Sequence, residues 1–585
     1  MNSEKIFSAI ATFVGTMLVL LVVGWLFWQL ISPLLDNFRN RDNNQVVLFH
    51  DFFELEADAI VLVWEDEWLR EFTPVMHNNE VHLPLAFIQA FIDPILFWDT
   101  GAQALFVSTR YEMQSFRVGD VRLVNDQVYV SASLVMGLYA VSIIFFEEAN
   151  VACVTRLGNE PGRFASIGAS GQTAVRHHAN TASPIAVRLQ QGATVTLLYE
   201  EGAWTRVRTA HGFMGYVQTL ALGAAAYPPA MLPNNRVPLF TSGHINNFIP
   251  RTPNWDGGKI NLTWLQIDSQ ENNDEWMETP LPANLTVISP TWFRFCEDDT
   301  QRVDSMASAE FVYWAQAQGI RVWPNVSDVC PGTAGRYSGP LLTDINARRS
   351  IITQLEDFVS TLGLDGLVIN FESLGDARYG AYYVQFMREL NLALGHRIVI
   401  VAAMKEDPVA NAHYRHDLIA RTVDFVALMT FDEHHGASPQ AGPVASLPWV
   451  QRQITAMLEF VPSNQLIMGL PYYNRVWRTT VVENARRTSL NWSMDRVLEE
   501  LYDRGVTPEW NPTEGSYYIE WTAVVEGEAL RHQLWQENAR SIREKMQIYM
   551  EHDLAGIAGW NINFTNDALW EALAFYFPMR VVRYE

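Results

Sequence analysis

Between Gly366 and Glu372 the chain reads GLVINFE, an apolar run of strand character that ends in a carboxylic acid. A strand sends alternate side chains to opposite faces, so Val368, Asn370 and Glu372 share one face, while Leu367, Ile369 and Phe371 share the other. A carboxyl at the end of a buried strand suits general acid/base work when its surroundings keep the proton on near neutral pH. The competing reading is a structural salt-bridge partner, and the strand alone does not separate the two. Asp365 begins the strand on the other parity, where a capping or structural role is expected.

Other reactive residue types are less well arranged. Asp432, Glu433, His434 and His435 are adjacent, and His413 and His416 lie three apart, but neither group completes a recognised ligand set, so they read as solvated loop residues with no metal. No Gly-x-Ser-x-Gly elbow is present and Cys153 has no evident base, which argues against nucleophilic hydrolase chemistry. Three cysteines are too few for a disulfide scaffold, and whether Cys296 and Cys330 pair stays open. No cofactor is implied.

The elements around GLVINFE are what would aim Glu372. From residue 258 to 585, apolar runs alternate with helical segments: INLTWLQI, LTVISPTWF, RVWPNV, GLVINFE, RIVIVAAM, FVALMTF, QLIMGLPY and GIAGWNI. Eight such runs with helices between them fit a (β/α)8 TIM barrel, in which reacting groups sit at the carboxyl ends of strands. A doubly wound sheet is the competing architecture, but no Gly-rich phosphate loop supports it. Ile351, Ile352, Leu355, Phe358, Val359 and Leu362 line one face of the helix before the fourth strand, and Gly363 closes it. The gap from 473 to 550 predicts an α+β insertion before the last strand, including YYIEW and a helix near 537–551.

These runs together resemble glycoside hydrolase family 18, whose fourth-strand motif Asp-Gly-x-x-x-Asp-x-Glu is answered here by LDGLVINFE. SPTWF, RVWPNVSD, MTFDEH, GLPYYNRVW and AGWNI follow in the family's order, and YYIEW and LWQENARSI are similar to its spore-germination and cortex-lytic branch. The resemblance implies retaining hydrolysis of N-acetylglucosamine links, with the substrate's own acetamido oxygen as nucleophile and Glu372 as acid, then base. Trp560 would floor the reactive subsite, with Met429, Phe431 and Asp432 lining it and Trp292, Trp323 and Asn325 as neighbours. Two positions depart from the family, Asn370 replacing an Asp and Phe431 a Tyr, both of which hold the acetamido group. Losing one well-aimed contact of that kind costs roughly 100-fold to 1000-fold in rate. Either a weakened glycosidase or a glycan-binding barrel without turnover follows.

Upstream lie four further segments. Residues 6–35 form an uncharged apolar stretch, longer than the roughly 20 residues a bilayer requires, and predict an uncleaved transmembrane anchor within 1–44. Residues 45–155 read as a small α+β or mostly β module similar to the copper amine oxidase N-terminal-like domain, through PVMHNNEVHLPLAFI and ILFWDTGAQALFVS, without copper ligands. Residues 156–222 resemble a bacterial Src-homology-3-like domain, a small β-barrel, on VTLLYEE, Trp204, Gly212 and GYV. Proline-rich residues 223–257 read as a linker. A net charge of −24 disfavours nucleic acid. The expectation is a single-pass membrane protein with its bulk outside the cytoplasm, and with peptidoglycan or another N-acetylglucosamine-containing glycan as partner.

Overall fold

The computed structural model describes residues 43–577 apart from 48, 53, 57, 109–112, 118, 120, 158–162, 227–254, 256–257, 295–301, 329–337, 373, 396–397 and 482–485. The expected membrane anchor, most of the linker, Cys296 and Cys330 lie outside the described residues. Among those described, no helix is long and apolar enough to cross a membrane. The chain divides into two compact units, Met1–Pro94 with Val118–Asn247, and Ile95–Arg117 with Phe248–Glu585.

In the second unit the eight expected strands form a closed ring. They are Ile260–Leu265, Val287–Pro290, Arg321–Val322 continued by Asn325–Ser327, Gly366–Asn370, Val399–Met404, Phe425–Leu428, Leu466–Pro471 and Gly556–Trp560. All barrel neighbours run parallel, and the first strand pairs with both the second and the eighth, which closes the sheet on itself. The third strand breaks at Trp323-Pro324, where proline supplies no N–H; its first part pairs with the second strand and its last part with the fourth.

Alternation sorts the strand residues into two apolar layers. Leu262, Trp264, Val287, Trp323, Val368, Val401, Ala403, Ala427, Met429 and Ile467 fill the interior. Leu265, Ile288, Val326, Leu367, Ile369, Phe371, Ile400, Val426 and Met468 face outward under the helices. Asp344 caps the helix Ile345–Leu362, and Gly363 ends it in the left-handed region, φ 65°, which glycine enters without a Cβ penalty. Asp365 accepts from Arg321 at 2.7 Å and from Gln316 at 3.0 Å, the structural role expected of it.

The insertion is a five-stranded antiparallel sheet between Asn474 and Gln536, with the helix Met494–Arg504. The helix expected inside it, observed at Ala539–Glu551, belongs instead to the barrel's outer ring. Its Ile542, Met546 and Tyr549 join the outer apolar layer, so the insertion lies between the seventh strand and that strand's own helix.

The β-meander Phe97–Asp99, Ala104–Ser108 and Met113–Arg117, expected within an undivided 45–155 module, groups with the barrel. Its Asp99 forms an ion pair with Arg348 at 2.5 Å; both side chains are fully buried, and Arg348 also pairs with Glu389 at 3.2 Å. The first unit holds two four-stranded sheets and a six-stranded sheet spanning Phe164–Gln218.

Candidate active site

Glu372 stands just past the end of the fourth strand, on the parity of the interior residues Val368 and Asn370. Asn370 Nδ2 donates to Glu372 Oε1 at 2.9 Å, and Asp328, just beyond the third strand, accepts the Glu372 N–H through Oδ1 at 2.8 Å. Asp328 Oδ2 in turn accepts from the Ser338 hydroxyl at 2.7 Å. Burial pushes the Glu372 carboxyl above the usual range; Asp328 and Glu406 add to the rise, while the Asn370 hydrogen bond and Lys405 oppose it. A carboxyl whose hold on its proton is strengthened in this way is suited to deliver one at a cleft.

Trp560, partly exposed at the end of the eighth strand, lies across the ring from Glu372. Its ring packs on Trp264 at 5.8 Å, and Trp264 meets Phe431 edge-on at 6.3 Å, so three aromatic residues from the eighth, first and sixth strands gather in the interior. Met429 and Phe431 both face this interior and are each 7% exposed. Asp432, the next residue, adopts φ 66°. Its carboxylate accepts from the Tyr473 hydroxyl and pairs with Arg475 at 2.9 Å. Burial first, and Asp432 second, hold the Tyr473 phenol well above its ordinary value, so it stays a donor.

The expected site residues divide in three ways. Glu372, Asn370, Met429, Phe431 and Trp560 meet on the inner face, and Asp432 stands at the rim beside them. Asn325 faces the interior beside Val368, one layer below Asn370. Trp292 does not line the pocket: it is 1% exposed in the outer layer, packs on Phe311 at 5.5 Å and donates to Asn273 at 2.9 Å. It shares the parity of the outward-facing Ile288, which puts it on the helix side. Trp323 fills the interior against Trp255 and Phe425.

Of the residues expected in solvated loops, His416 differs, being 2% exposed and stacked near Tyr414, and Glu433 accepts from Ser446 N and Oγ at 2.7 and 3.0 Å, while His435 is exposed as expected. Among the described residues no group of three or more His, Cys, Asp or Glu side chains is placed to hold a metal.

Sequence reading alone passes over Asp328, Lys405, Tyr473, Arg475 and Trp264. Lys405 and Trp264 had a signal: both continue the inward alternation of their strands. Asp328 had none, because its partner is a backbone N–H on a strand more than forty residues away.

A closed ring of parallel strands, a proton-holding carboxyl at the mouth and an aromatic floor opposite it define a barrel glycosidase. Residues 282–564 match the family model of glycosyl hydrolases family 18, and residues 169–222 match that of the bacterial SH3 domain. The barrel belongs to glycosyl hydrolases family 18, and the smaller segment is a bacterial SH3 domain. Among curated proteins the chain is similar to the "uncharacterized glycosylase YvbX" of Bacillus subtilis, 23% identical over 298 residues, covering 49% of this chain and 84% of that one. It is also similar to the cortical fragment-lytic enzyme of Bacillus subtilis, 28% identical over 247 residues, covering 40% of this chain and 55% of that one. Among solved structures, the Bacillus cereus spore cortex-lytic enzyme SleL aligns with a TM-score of 0.48 and 17% identity, over 55% of this chain and 75% of that one.

Proposed function

We propose that the chain is a membrane-anchored, outward-facing glycosidase that hydrolyses N-acetylglucosamine links of peptidoglycan, spore cortex or a chitin-like glycan, with retention and substrate assistance. The observation that carries this reading is an orphaned acceptor. Asn370 is 5% exposed, its Nδ2 is engaged by Glu372, and among the described residues its Oδ1 has no hydrogen-bond partner. A buried acceptor left unmatched costs about 1–3 kcal/mol, which an arriving N–H would return. An acetamido N–H beside the cleaved link is such a donor.

In this reading the reactive sugar rests on Trp560, and Glu372 gives its proton to the bridging oxygen. The acetamido oxygen closes on the anomeric carbon while Asn370 Oδ1 holds the N–H, and Glu372 then takes a proton from the water that opens the ring intermediate. Neutral Asn370 stabilises the positive charge of that intermediate less than a carboxylate would, and Phe431 offers the acetamido carbonyl no donor, so turnover is weakened. The bacterial SH3 domain and the apolar 6–35 stretch would keep the barrel close to an insoluble polymer, raising its effective concentration there.

The test is release of reducing ends from peptidoglycan and chitin oligosaccharides by the full chain beside Glu372→Gln. Release by the parent and not by the variant supports the glycosidase. Retained pull-down of glycan with no release supports the alternative, a binding barrel of the cell envelope.

A further inference from the structure

Most charged groups at the barrel mouth have direct partners. Asp432 is engaged by Arg475 and Tyr473, Asp328 by the Glu372 N–H and Ser338, and Glu372 by Asn370. Lys405 is different. It follows Val399, Val401 and Ala403 on the inward parity of the fifth strand and is partly buried. Among the described residues its ammonium makes no hydrogen bond or ion pair.

Its position follows from the strand register. Val368 pairs with Val401 and Ile369 with Ala402, and the same register continued to the mouth sets Glu372 beside Lys405. On the other side Met404 pairs with Leu428, so Lys405 falls beside Met429, a residue of the pocket wall. Glu372 and Glu406 act on Lys405 only through space, without a direct ion pair, so this partly buried ammonium keeps its donors open to an anion that contacts it directly. Lysine is a compact charge with rotatable donors, suited to a single mobile carboxylate.

We propose that Lys405 binds a carboxylate carried by the sugar flanking the cleaved link, on the O3 lactyl arm that N-acetylmuramic acid bears and chitin lacks. The proposal rests on the glycosidase reading and narrows its substrate to anionic, muramyl-type glycan. That carboxylate is either the lactyl group's own or the end of a short peptide attached to it.

The arrangement also couples recognition to the acid. Free Lys405 favours ionised Glu372, against Asp328 and Glu406, which favour the protonated form. A substrate carboxylate seated on Lys405 cancels its pull and leaves Glu372 better able to hold the proton it must deliver.

The experiment compares the full chain with Lys405→Met and Lys405→Arg on three substrates: glycan strands stripped of peptide, strands keeping one alanine on the lactyl arm, and neutral chitotetraose. Lys405→Met is expected to lower kcat/KM at least about tenfold more on a carboxylate-bearing strand than on chitotetraose, mainly through KM. Lys405→Arg should recover most of the difference, and raised salt should shrink it. The strand with the larger loss identifies which carboxylate is bound. Equal loss on all three substrates overturns the proposal and leaves the glycosidase reading intact. If the parent cleaves none of them, that reading fails, and the proposal is decided by binding alone. Glu372→Gln should then prefer the muramyl disaccharide to chitobiose, the double variant with Lys405→Met should not, and no preference in either overturns it.

Discussion

The Glu372 backbone N–H donates to Asp328 Oδ1 at 2.8 Å, so the residue just past the acid-bearing strand is held by the residue just past its neighbour. One side chain thereby fixes the position of Glu372 and sets a negative charge behind it. Asp328→Asn keeps an acceptor for the N–H and removes the charge. Burial and Asp328 both raise the Glu372 carboxyl, so losing Asp328's charge lets Glu372 ionise at lower pH. The basic limb of kcat/KM should move to lower pH with kcat near its plateau little changed. Asp328→Ala, which also frees the backbone, should lower kcat at every pH. A profile unmoved in Asp328→Asn would leave Asp328 a purely mechanical support.

The raised carboxyl also affects stability. A group whose folded pKa lies above its unfolded value contributes stability that is full below the unfolded value and is lost as pH rises through the folded one. At neutral pH, then, Glu372 is a liability that Glu372→Gln removes while still accepting from Asn370. The variant should melt at higher temperature than the parent near pH 7, and the difference should vanish below about pH 4, where both states are protonated. Calorimetry across that range decides it.

Asn370→Asp combined with Phe431→Tyr should raise turnover on N-acetylated oligosaccharides by about 10-fold to 100-fold, less than two independent contacts would give, because the new carboxylate also perturbs Glu372. Asn370 donates to Glu372 Oε1. An Asp there replaces that donor with a second carboxyl, and the pair would titrate jointly, with one value raised. No gain in a folded double variant, measured as kcat on chitotetraose, would count against acetamido assistance.

What was legible in the sequence followed from strand alternation. The period of two in GLVINFE put Asn370 and Glu372 on the inner face, whereas Met429 and Phe431 were expected there from the family resemblance and do face the interior. The family resemblance misplaced Trp292, which shares the outward parity of Ile288 and turns its indole to Asn273. The gap length misassigned the helix Ala539–Glu551, whose apolar face is compatible with either an insertion or a barrel ring and reveals which only through its contacts with the outer layer. The contribution of residues 95–117 to the barrel unit was illegible for a different reason: Asp99 and Arg348 are paired across some 250 residues, and nothing local in either segment signals the other.

The two tryptophans give a direct contrast. Trp560 is partly exposed over Trp264 and available to a sugar face, whereas Trp292 is buried and hydrogen-bonded among outer-layer side chains. Trp560→Ala should lower kcat/KM on oligosaccharides by about 1–3 kcal/mol of lost stacking, with little change in melting temperature. Trp292→Ala should cost about 3–5 kcal/mol of stability and leave KM of the folded protein unchanged. Paired thermal unfolding and steady-state kinetics would expose a reversal of these roles.

Asp99 tests whether the meander at 97–117 is a structural part of the barrel unit. Arg348 is fully buried between Asp99 at 2.5 Å and Glu389 at 3.2 Å, and it also donates to Leu342 O at 2.6 Å. Removing one carboxylate of a buried cluster leaves a charge short of partners and typically costs about 3–5 kcal/mol. Here the retained Glu389 places Asp99→Ala at the lower end, about 3 kcal/mol. The pair lies outside the ring of strands, against the helices Ile345–Leu362 and Gly380–Leu394, so kcat of the folded protein should hold its value while its melting temperature falls. Unchanged unfolding in Asp99→Ala would mean that the meander packs on those helices without stabilising them.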